Sequence, residues 1–244
     1  MSHEDHRRVI AIDGPAAAGK TTVAQVLADR LGAMLFDTGT LYRAVTLGAL
    51  NAGVAPSAGV ELAQLANARH IDVTAPSSSD GRLYDVRLDG RDVTWEIRDP
   101  RVEAHVSEVA AHQAVRDALL PIQRRIAAKG KVVMVGRDIG SVVVPGAGLK
   151  IFLQAGLAER ARRRYAELVA RGVDIAIDDI EAELSTRDDL DTTRTAAPLR
   201  VATGAEVIDT DGRSIPEIVN EIEVLARQIW NRSSPPDSAE RAPA

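Results

Sequence analysis

The chain has 244 residues, of which 45% are apolar and 27% charged, and its 30 basic and 35 acidic side chains give a formal net charge of −5. This composition excludes a disordered or fibrous protein and disfavours an extended nucleic-acid groove. The sequence contains no cysteine, which excludes disulfides, thiolate metal sites and cysteine nucleophiles. Length favours one domain with insertions, and the polar first residues predict a cytoplasmic protein without a membrane span.

Short apolar runs alternate with helical patterns along the chain. After a first strand at residues 9–12, apolar residues recur at helical spacing up to Gly32, a helix-ending position. Further buried strands are predicted at residues 34–36, 132–135, 149–153 and 206–208. A last helix begins behind a capping box of Ser214 and Glu217. This alternation predicts a three-layer α/β fold with a mostly parallel five-stranded sheet.

The pattern changes between residues 66 and 100. Residues 82–88 alternate in polarity and precede Asp89-Gly90, a hairpin turn signal, so a small antiparallel insert is predicted. Residues 100–128 return to helical spacing, as one helix or two. Residues 233–244 have almost no apolar content and are predicted to form a disordered tail.

A phosphate-binding motif follows the first strand. It satisfies G-x-x-x-x-G-K-[ST] between a predicted strand and a predicted helix, so its backbone N–H groups can wrap a polyphosphate. Lys20 can then reach the β and γ phosphates, and the Thr21 hydroxyl can bind Mg²⁺. The predicted ATP-binding residues are Gly14, Pro15, Ala16, Ala17, Ala18, Gly19, Lys20, Thr21 and Thr22.

Charged residues also follow two other strands, where parallel sheets bind ligands. Residues 37–43 place a carboxylate, two hydroxyls and Arg43 after the second strand, where they could bind an acceptor. An equal alternative is that Asp37 or Thr38 caps a helix and that Arg43 is a solvated helix residue. Arg137 and Asp138 follow the strand at 132–135 between two glycines. The guanine-reading sequence N-K-x-D is absent from the chain, which disfavours a GTPase.

Two further arginine-containing segments are candidates for phosphate binding. Arg160 and Arg163 share one face of a predicted helix, which is either a solvated face or a ligand-facing one that neutralises charge during phosphoryl transfer. Residues 187–194 alternate in charge without apolar periodicity and are predicted to be an exposed loop. An arginine and an aspartate four residues apart in it could take a phosphate and a sugar hydroxyl.

Taken in order, these motifs closely resemble the bacterial cytidylate kinases, over about residues 9–229. The matching segments are IAIDGP (10–15) with GKT (19–21), DTG (37–39) with YR (42–43), EIR (96–98), VSEVAA (106–111) with VR (115–116), GRDIG (136–140), KIFL (150–153), ERARRR (159–164), RDD (187–189) and APL (197–199). The resemblance implies a P-loop kinase fold with a small antiparallel β insert and a helical lid. It implies phosphorylation of CMP or dCMP by ATP with Mg²⁺, in a monomer that binds neither nucleic acid nor membrane.

Residue roles follow from the same resemblance. It implies that Thr38, Arg43, Arg137 and Arg194 contact the acceptor monophosphate and its surroundings, that Arg187 and Asp191 reach its phosphate and sugar, and that Ser107, Arg116 and Asp138 read the cytosine. Catalysis is assigned to Lys20, Arg137, Arg160, Arg163 and Arg194. The chain departs from the family at Ala16-Ala17, which restricts the loop backbone, and at Val135, where an acidic residue is common.

The implied organisation is a single domain over residues 1–232. Its core covers about 8–65 and 129–232, its monophosphate-binding insert about 66–110 and its lid about 155–190. Two alternatives remain open from the residues alone. One is a P-loop kinase with another acceptor, such as AMP, dTMP or shikimate, and the other is a nucleotide-regulated binding module whose arginine helix contacts RNA.

Overall fold

The computed structural model describes residues 6–170 and 172–233. Its helices and strands alternate along most of the chain. They are β1 (Val9–Asp13), α1 (Lys20–Leu31), β2 (Met34–Asp37), α2 (Gly39–Ala52), α3 (Gly59–Ala68), β3 (Ile71–Thr74), β4 (Asp85–Leu88), β5 (Arg91–Asp92), α4 (Pro100–Ala111), α5 (Gln113–Ala127), β6 (Val132–Gly136), β7 (Leu149–Gln154), α6 (Leu157–Ala170), α7 (Ile177–Thr193), β8 (Glu206–Asp209) and α8 (Ile215–Ser233). One π-helical turn covers Ile139–Val143.

Five parallel strands form the central sheet in the order β2-β6-β1-β7-β8. Successive residues of β1 point to opposite faces, so Val9 and Ala11 pack with α2 to α5, whereas Ile10 and Ile12 pack with α1 and α8. Burial on both faces explains why the strand reads as one uninterrupted apolar run. The predicted three-layer fold with a five-stranded parallel sheet is confirmed.

Helix-terminal residues act as the sequence predicts. Gly32 ends α1 in the left-handed conformation, with φ of 56°. At the start of α8 the Glu217 carboxylate accepts from the Ser214 backbone N–H at 2.8 Å and from the Ser214 hydroxyl at 2.6 Å. These local signals fix where the two helices that flank one face of the sheet begin or end.

The small antiparallel insert is confirmed as the three-stranded sheet β3-β4-β5. Asp89 and Gly90 have φ of 51° and 81°, as the tight turn between β4 and β5 requires. The helical region that follows is two helices, because the chain turns at His112. Asp99 caps the first of them by accepting from the Arg101 N–H at 2.9 Å.

Two predictions about local structure are wrong. β8 is an edge strand rather than a buried one, and Val207 is 49% exposed. Residues 187–193 are helical rather than a loop, as the last turns of α7. The buried face of α7 starts apolar at Ile180 and Leu184 but continues with the buried Asp191, so apolar periodicity disappears where the helix is still packed.

The predicted boundaries of the core, insert and lid stay predictions. Of the predicted tail, Ser233 ends α8 and residues 234–244 lie outside the described residues. None of the helices in the described part of the chain is long and apolar enough to cross a membrane.

Candidate active site

The phosphate-binding loop joins the carboxyl end of β1 to the first turn of α1. A Cβ at Gly14 would lie 2.0 Å from the Leu153 carbonyl oxygen, so only glycine lets the chain leave the sheet there. Ala17 adopts φ of 58°, an uncommon conformation for a residue with a side chain. The loop thus keeps the compact shape that a phosphate cradle needs.

Lys20 is the first residue of α1 and is buried. Its ammonium group donates to the Pro15 carbonyl oxygen at 2.5 Å, across the loop. Burial and the nearby Arg137 guanidinium lower the Lys20 pKa well below its ordinary value, and Asp37 opposes this only in part. A buried cation next to another cation is a site that an anion would stabilise.

Thr21 and Asp37 bring two oxygen donors together beside the loop. The Thr21 hydroxyl lies 3.3 Å from one Asp37 carboxylate oxygen, and the other accepts from the Gly39 backbone N–H at 2.9 Å. Asp37 therefore both caps α2 and faces the phosphate loop. A hydroxyl and a carboxylate are the hard ligands that Mg²⁺ prefers, so the donor set fits this ion.

A cavity of about 1080 Å³ opens from this loop across the carboxyl ends of β2 and β6. Most of the predicted site residues line it. They are Ala16, Ala17, Gly19, Lys20, Thr21, Thr22, Thr38, Arg43, Ser107, Arg116, Arg137, Asp138, Arg163, Arg187, Asp191 and Arg194. The predicted residues Gly14, Pro15, Ala18 and Arg160 lie outside its lining.

A cluster of guanidinium groups lines the same cavity as the phosphate loop. Arg43 is not solvated, because it donates to Glu103 at 2.7 and 3.3 Å, and Arg137 donates to Asp191 at 2.8 Å. Burial, Arg137 and Arg43 together lower the pKa of Arg187, which shows how closely the positive charges crowd. Such a cluster favours a multivalent anion.

The Arg194 side chain lies close to this cluster. It donates to the Ala197 carbonyl at 2.9 Å and approaches Asp191 at 3.4 Å. Burial and the Arg116 charge lower its pKa. One of its terminal nitrogens is buried with no hydrogen-bond partner in the described part of the chain, so Arg194 retains an unused donor.

Arg116 and Asp138 form a buried ion pair that lines the cavity. Arg116 also donates to the Ala110 carbonyl at 3.1 Å, and its guanidinium lies over the Tyr42 ring, 5.4 Å from the centroid. Ser107 lines the cavity from α4. The pair offers a planar donor beside a carboxylate acceptor, which suits the polar edge of a heterocycle.

The two candidate arginines of α6 have different surroundings, and the helix face that they share is neither simply solvated nor simply ligand-facing. Arg160 is buried and donates to the carbonyls of Ala155 at 3.0 Å and Ala16 at 3.2 Å and to Asp188 at 2.6 Å. It therefore ties α6 and α7 to the phosphate loop. Arg163 lines the cavity. Its guanidinium group donates to the Thr210 hydroxyl at 2.9 Å and to the Thr210 carbonyl oxygen at 2.6 Å.

Sequence reasoning missed Asp13, the last residue of β1. Its side chain is 3% exposed and accepts from the backbone N–H groups of Ile139 and Gly140, each at 2.8 Å. Burial raises its pKa to about 6, and the Asp138 charge adds to that rise. The available signal was a carboxylate directly after four buried apolar residues.

A phosphate loop facing an arginine cluster at the carboxyl edge of a parallel sheet defines a P-loop kinase for a small acceptor. A solved structure of an uncharacterized protein from Eubacterium ventriosum ATCC 27560 shares this fold, with a TM-score of 0.50 and 12% identity, and the match covers 91% of this chain and 99% of that one. At that identity the likeness concerns the fold alone.

The family model described as cytidylate kinase matches residues 10–228. A cytidylate kinase of Chloroflexus aggregans is 53% identical over 184 residues, covering 75% of this chain and 80% of the relative. A cytidylate kinase of Herpetosiphon aurantiacus is 48% identical over 213 residues, covering 87% and 91%. The chain belongs to the cytidylate kinase family. The predicted family and enzyme class are thereby confirmed, and the binding-module alternative receives no support.

Proposed function

We propose that this chain transfers the γ-phosphoryl group of ATP to the 5′-phosphate of CMP or dCMP, giving ADP and CDP or dCDP. The observation that carries the proposal is the single cavity that joins the phosphate loop to the arginine cluster and to the Arg116–Asp138 pair. Membership of the cytidylate kinase family supports cytidine nucleotides as acceptors.

The donor triphosphate binds the loop of residues 14–21. Backbone N–H groups and the N-terminus of α1 face its oxygens, and the buried Lys20 is a charge that reaches the β and γ phosphates. Arg163, which lines the same cavity, neutralises charge from the α6 side. Arg160 supports the loop from outside through the Ala16 carbonyl.

Thr21 and Asp37 are the residues that would hold Mg²⁺. An ion held there would supply positive charge that offsets the charge developing on the phosphate oxygens. Val135, the residue before the last one of β6, has an apolar side chain and is 2% exposed, so the carboxylate beside Thr21 comes from β2 instead. Asp37 is fixed for this role by the Gly39 N–H.

The acceptor phosphate binds among Arg43, Arg137, Arg187 and Arg194. These guanidinium groups place its oxygen for in-line attack on the γ-phosphorus, so the acceptor itself is the nucleophile and no general base is required. Asp191 holds Arg137 in position and is available to a sugar hydroxyl, and Thr38 is fixed by its bond to the Val135 carbonyl at 2.9 Å.

Cytosine is read by Arg116, Asp138 and Ser107. The Asp138 carboxylate accepts from the 4-amino group, and Arg116 donates to the ring acceptors. Uracil presents a carbonyl at position 4, which faces the carboxylate and leaves polar groups unpaired. A preference for CMP over UMP follows.

We propose that the chain acts as a monomer, and we place it in the cytoplasm with its nucleotide substrates. An acceptor panel tests the proposal, with ADP release followed at equal concentrations of CMP, dCMP, UMP, AMP, dTMP and shikimate. CMP or dCMP should give the highest kcat/KM. Faster turnover of AMP, dTMP or shikimate would overturn the assignment.

A further inference from the structure

We propose that Asp13 is a positioning residue for the acceptor: it fastens the turn that carries Arg137 and Asp138 to the end of β1. The inference rests on the proposed function, because it gives these two residues their roles in phosphate and cytosine binding. Asp13 itself does not line the cavity.

The contacts of Asp13 are specific to this turn. One carboxylate oxygen accepts from Ile139 N and the other from Gly140 N, each at 2.8 Å. These amides open the π-helical turn Ile139–Val143, directly after Arg137 and Asp138. Amides at the start of a helix have no partner within it, and single π-helical turns are frequent at functional sites. Asp13 therefore supplies the hydrogen bonds that fix where the turn begins.

The position of Asp13 in the sheet joins the two halves of the site. In the β1–β6 pairing Asp13 lies opposite Gly136, the last residue of β6, and the next residue along the chain, Gly14, opens the phosphate loop. One side chain thus links the donor loop to the acceptor turn. The turn is tightly packed, since a Cβ at Gly136 would meet Ile139 Cδ1 at 2.6 Å and Thr38 Oγ1 at 2.8 Å.

The burial of Asp13 has an energetic cost. A buried carboxylate is costly, and its raised pKa of about 6 reflects that cost, which Lys20 and the two amides offset only in part. Asp138 is also close enough to repel it. A neutral residue at this position would avoid these costs, but a carboxylate can accept from both amides at once, which is what places the turn.

The test replaces Asp13 in the full-length chain. Asp13→Asn keeps one oxygen acceptor but directs an NH₂ group at the second amide, and Asp13→Ser is a smaller variant in case the first does not fold. Loss of one such hydrogen bond changes the equilibrium constant for correct placement of the turn by roughly tenfold. KM for CMP should therefore rise about tenfold, and the CMP-to-UMP ratio of kcat/KM should fall by a similar factor. KM for ATP should change by less than about threefold. Amide hydrogen exchange at residues 139 and 140 should accelerate.

A matched control separates positioning from general destabilisation. Asp85 is another buried aspartate, which accepts from Ser77 N at 3.1 Å and from Arg82 at 3.0 Å within the insert. Asp85→Asn should lower the melting temperature yet leave both KM values and the nucleobase ratio unchanged.

The outcomes distinguish this inference from the proposed function. A wild-type protein that forms no CDP refutes the proposed function. An active wild type whose folded Asp13 variants keep its KM for CMP and its nucleobase ratio refutes the positioning role, as does a parallel rise of both KM values by the same factor.

Discussion

Replacing Arg160 with methionine tests the connection between helices α6 and α7 and the phosphate loop. Methionine keeps most of the aliphatic length but removes the guanidinium group and its bonds to Ala155, Ala16 and Asp188. The Asp188 side chain would then stay largely buried, at 23% exposure, without its partner. Its second oxygen is already buried with no hydrogen-bond partner in the described residues.

The size of the effect follows from this burial. Removing one partner of a buried pair costs about 3 to 5 kcal/mol, and the partial exposure of Asp188 favours the lower value. For a chain of this size about 3 kcal/mol corresponds to a drop in melting temperature of roughly 6 to 12 °C. The loosened Ala16 carbonyl should also raise KM for ATP more than KM for CMP.

Thermal unfolding and steady-state kinetics measure both effects. Arg162→Met is the control for thermal unfolding only, because Arg162 also lines the cavity. Arg162 lies on the same helix, is 69% exposed at its side chain and pairs with Glu159, so its loss should cost less than about 0.5 kcal/mol. Equal melting temperatures for the two variants would refute the claim that Arg160 fastens the loop.

Three further changes have defined outcomes. Lys20→Met should lower kcat by about 10²- to 10³-fold, because a charge at the transferring phosphate is lost, and should raise the melting temperature of the nucleotide-free protein, because a buried ammonium is removed. Ala17→Gly should raise the free energy of unfolding in urea by about 0.5 kcal/mol. Glycine adopts the φ of 58° without strain, and this gain exceeds the cost of the greater conformational entropy that glycine has in the unfolded chain. Burial raises the pKa of Asp13 in the folded chain to about 6, above the ordinary value of an aspartate, and the Asp138 charge adds to the rise. The stability that protonation of Asp13 provides is therefore present at low pH and is lost as pH rises through 6. Relative to Asp13→Asn, the wild type should gain about 1 kcal/mol between pH 7 and pH 5.

Contrary results are equally clear for these three. An undiminished kcat in Lys20→Met would remove that residue from the mechanism. A destabilised Ala17→Gly would show that the loop conformation does not strain alanine. A stability difference between wild type and Asp13→Asn that stays constant with pH would show that Asp13 titrates as an ordinary exposed carboxyl group.

The sequence predicted the sheet well because burial on both faces makes a strand such as β1 apolar at every position. It also predicted most residues that line the cavity, since the phosphate loop and the charged segments follow strand ends at one edge of a parallel sheet. It failed at the end of α7, where the buried helix face is polar and Asp191 replaces an apolar residue.

The missed interactions share another cause. Asp13 binds amides 126 and 127 positions away, and Arg43 pairs with Glu103, 60 positions away. Such pairs depend on how distant segments pack, which local periodicity does not contain. Local sequence patterning places Arg160 in an exposed or ligand-facing charge run for the same reason, because Ala16 and Asp188 come close to it only in the fold.

The most direct test of the account is transfer of label from [γ-³²P]ATP in the presence of Mg²⁺ and CMP. Direct attack by the acceptor phosphate predicts that the label appears in CDP, and that little inorganic phosphate forms unless CMP is absent for long periods. Label released as inorganic phosphate at the same rate with and without CMP would contradict the account.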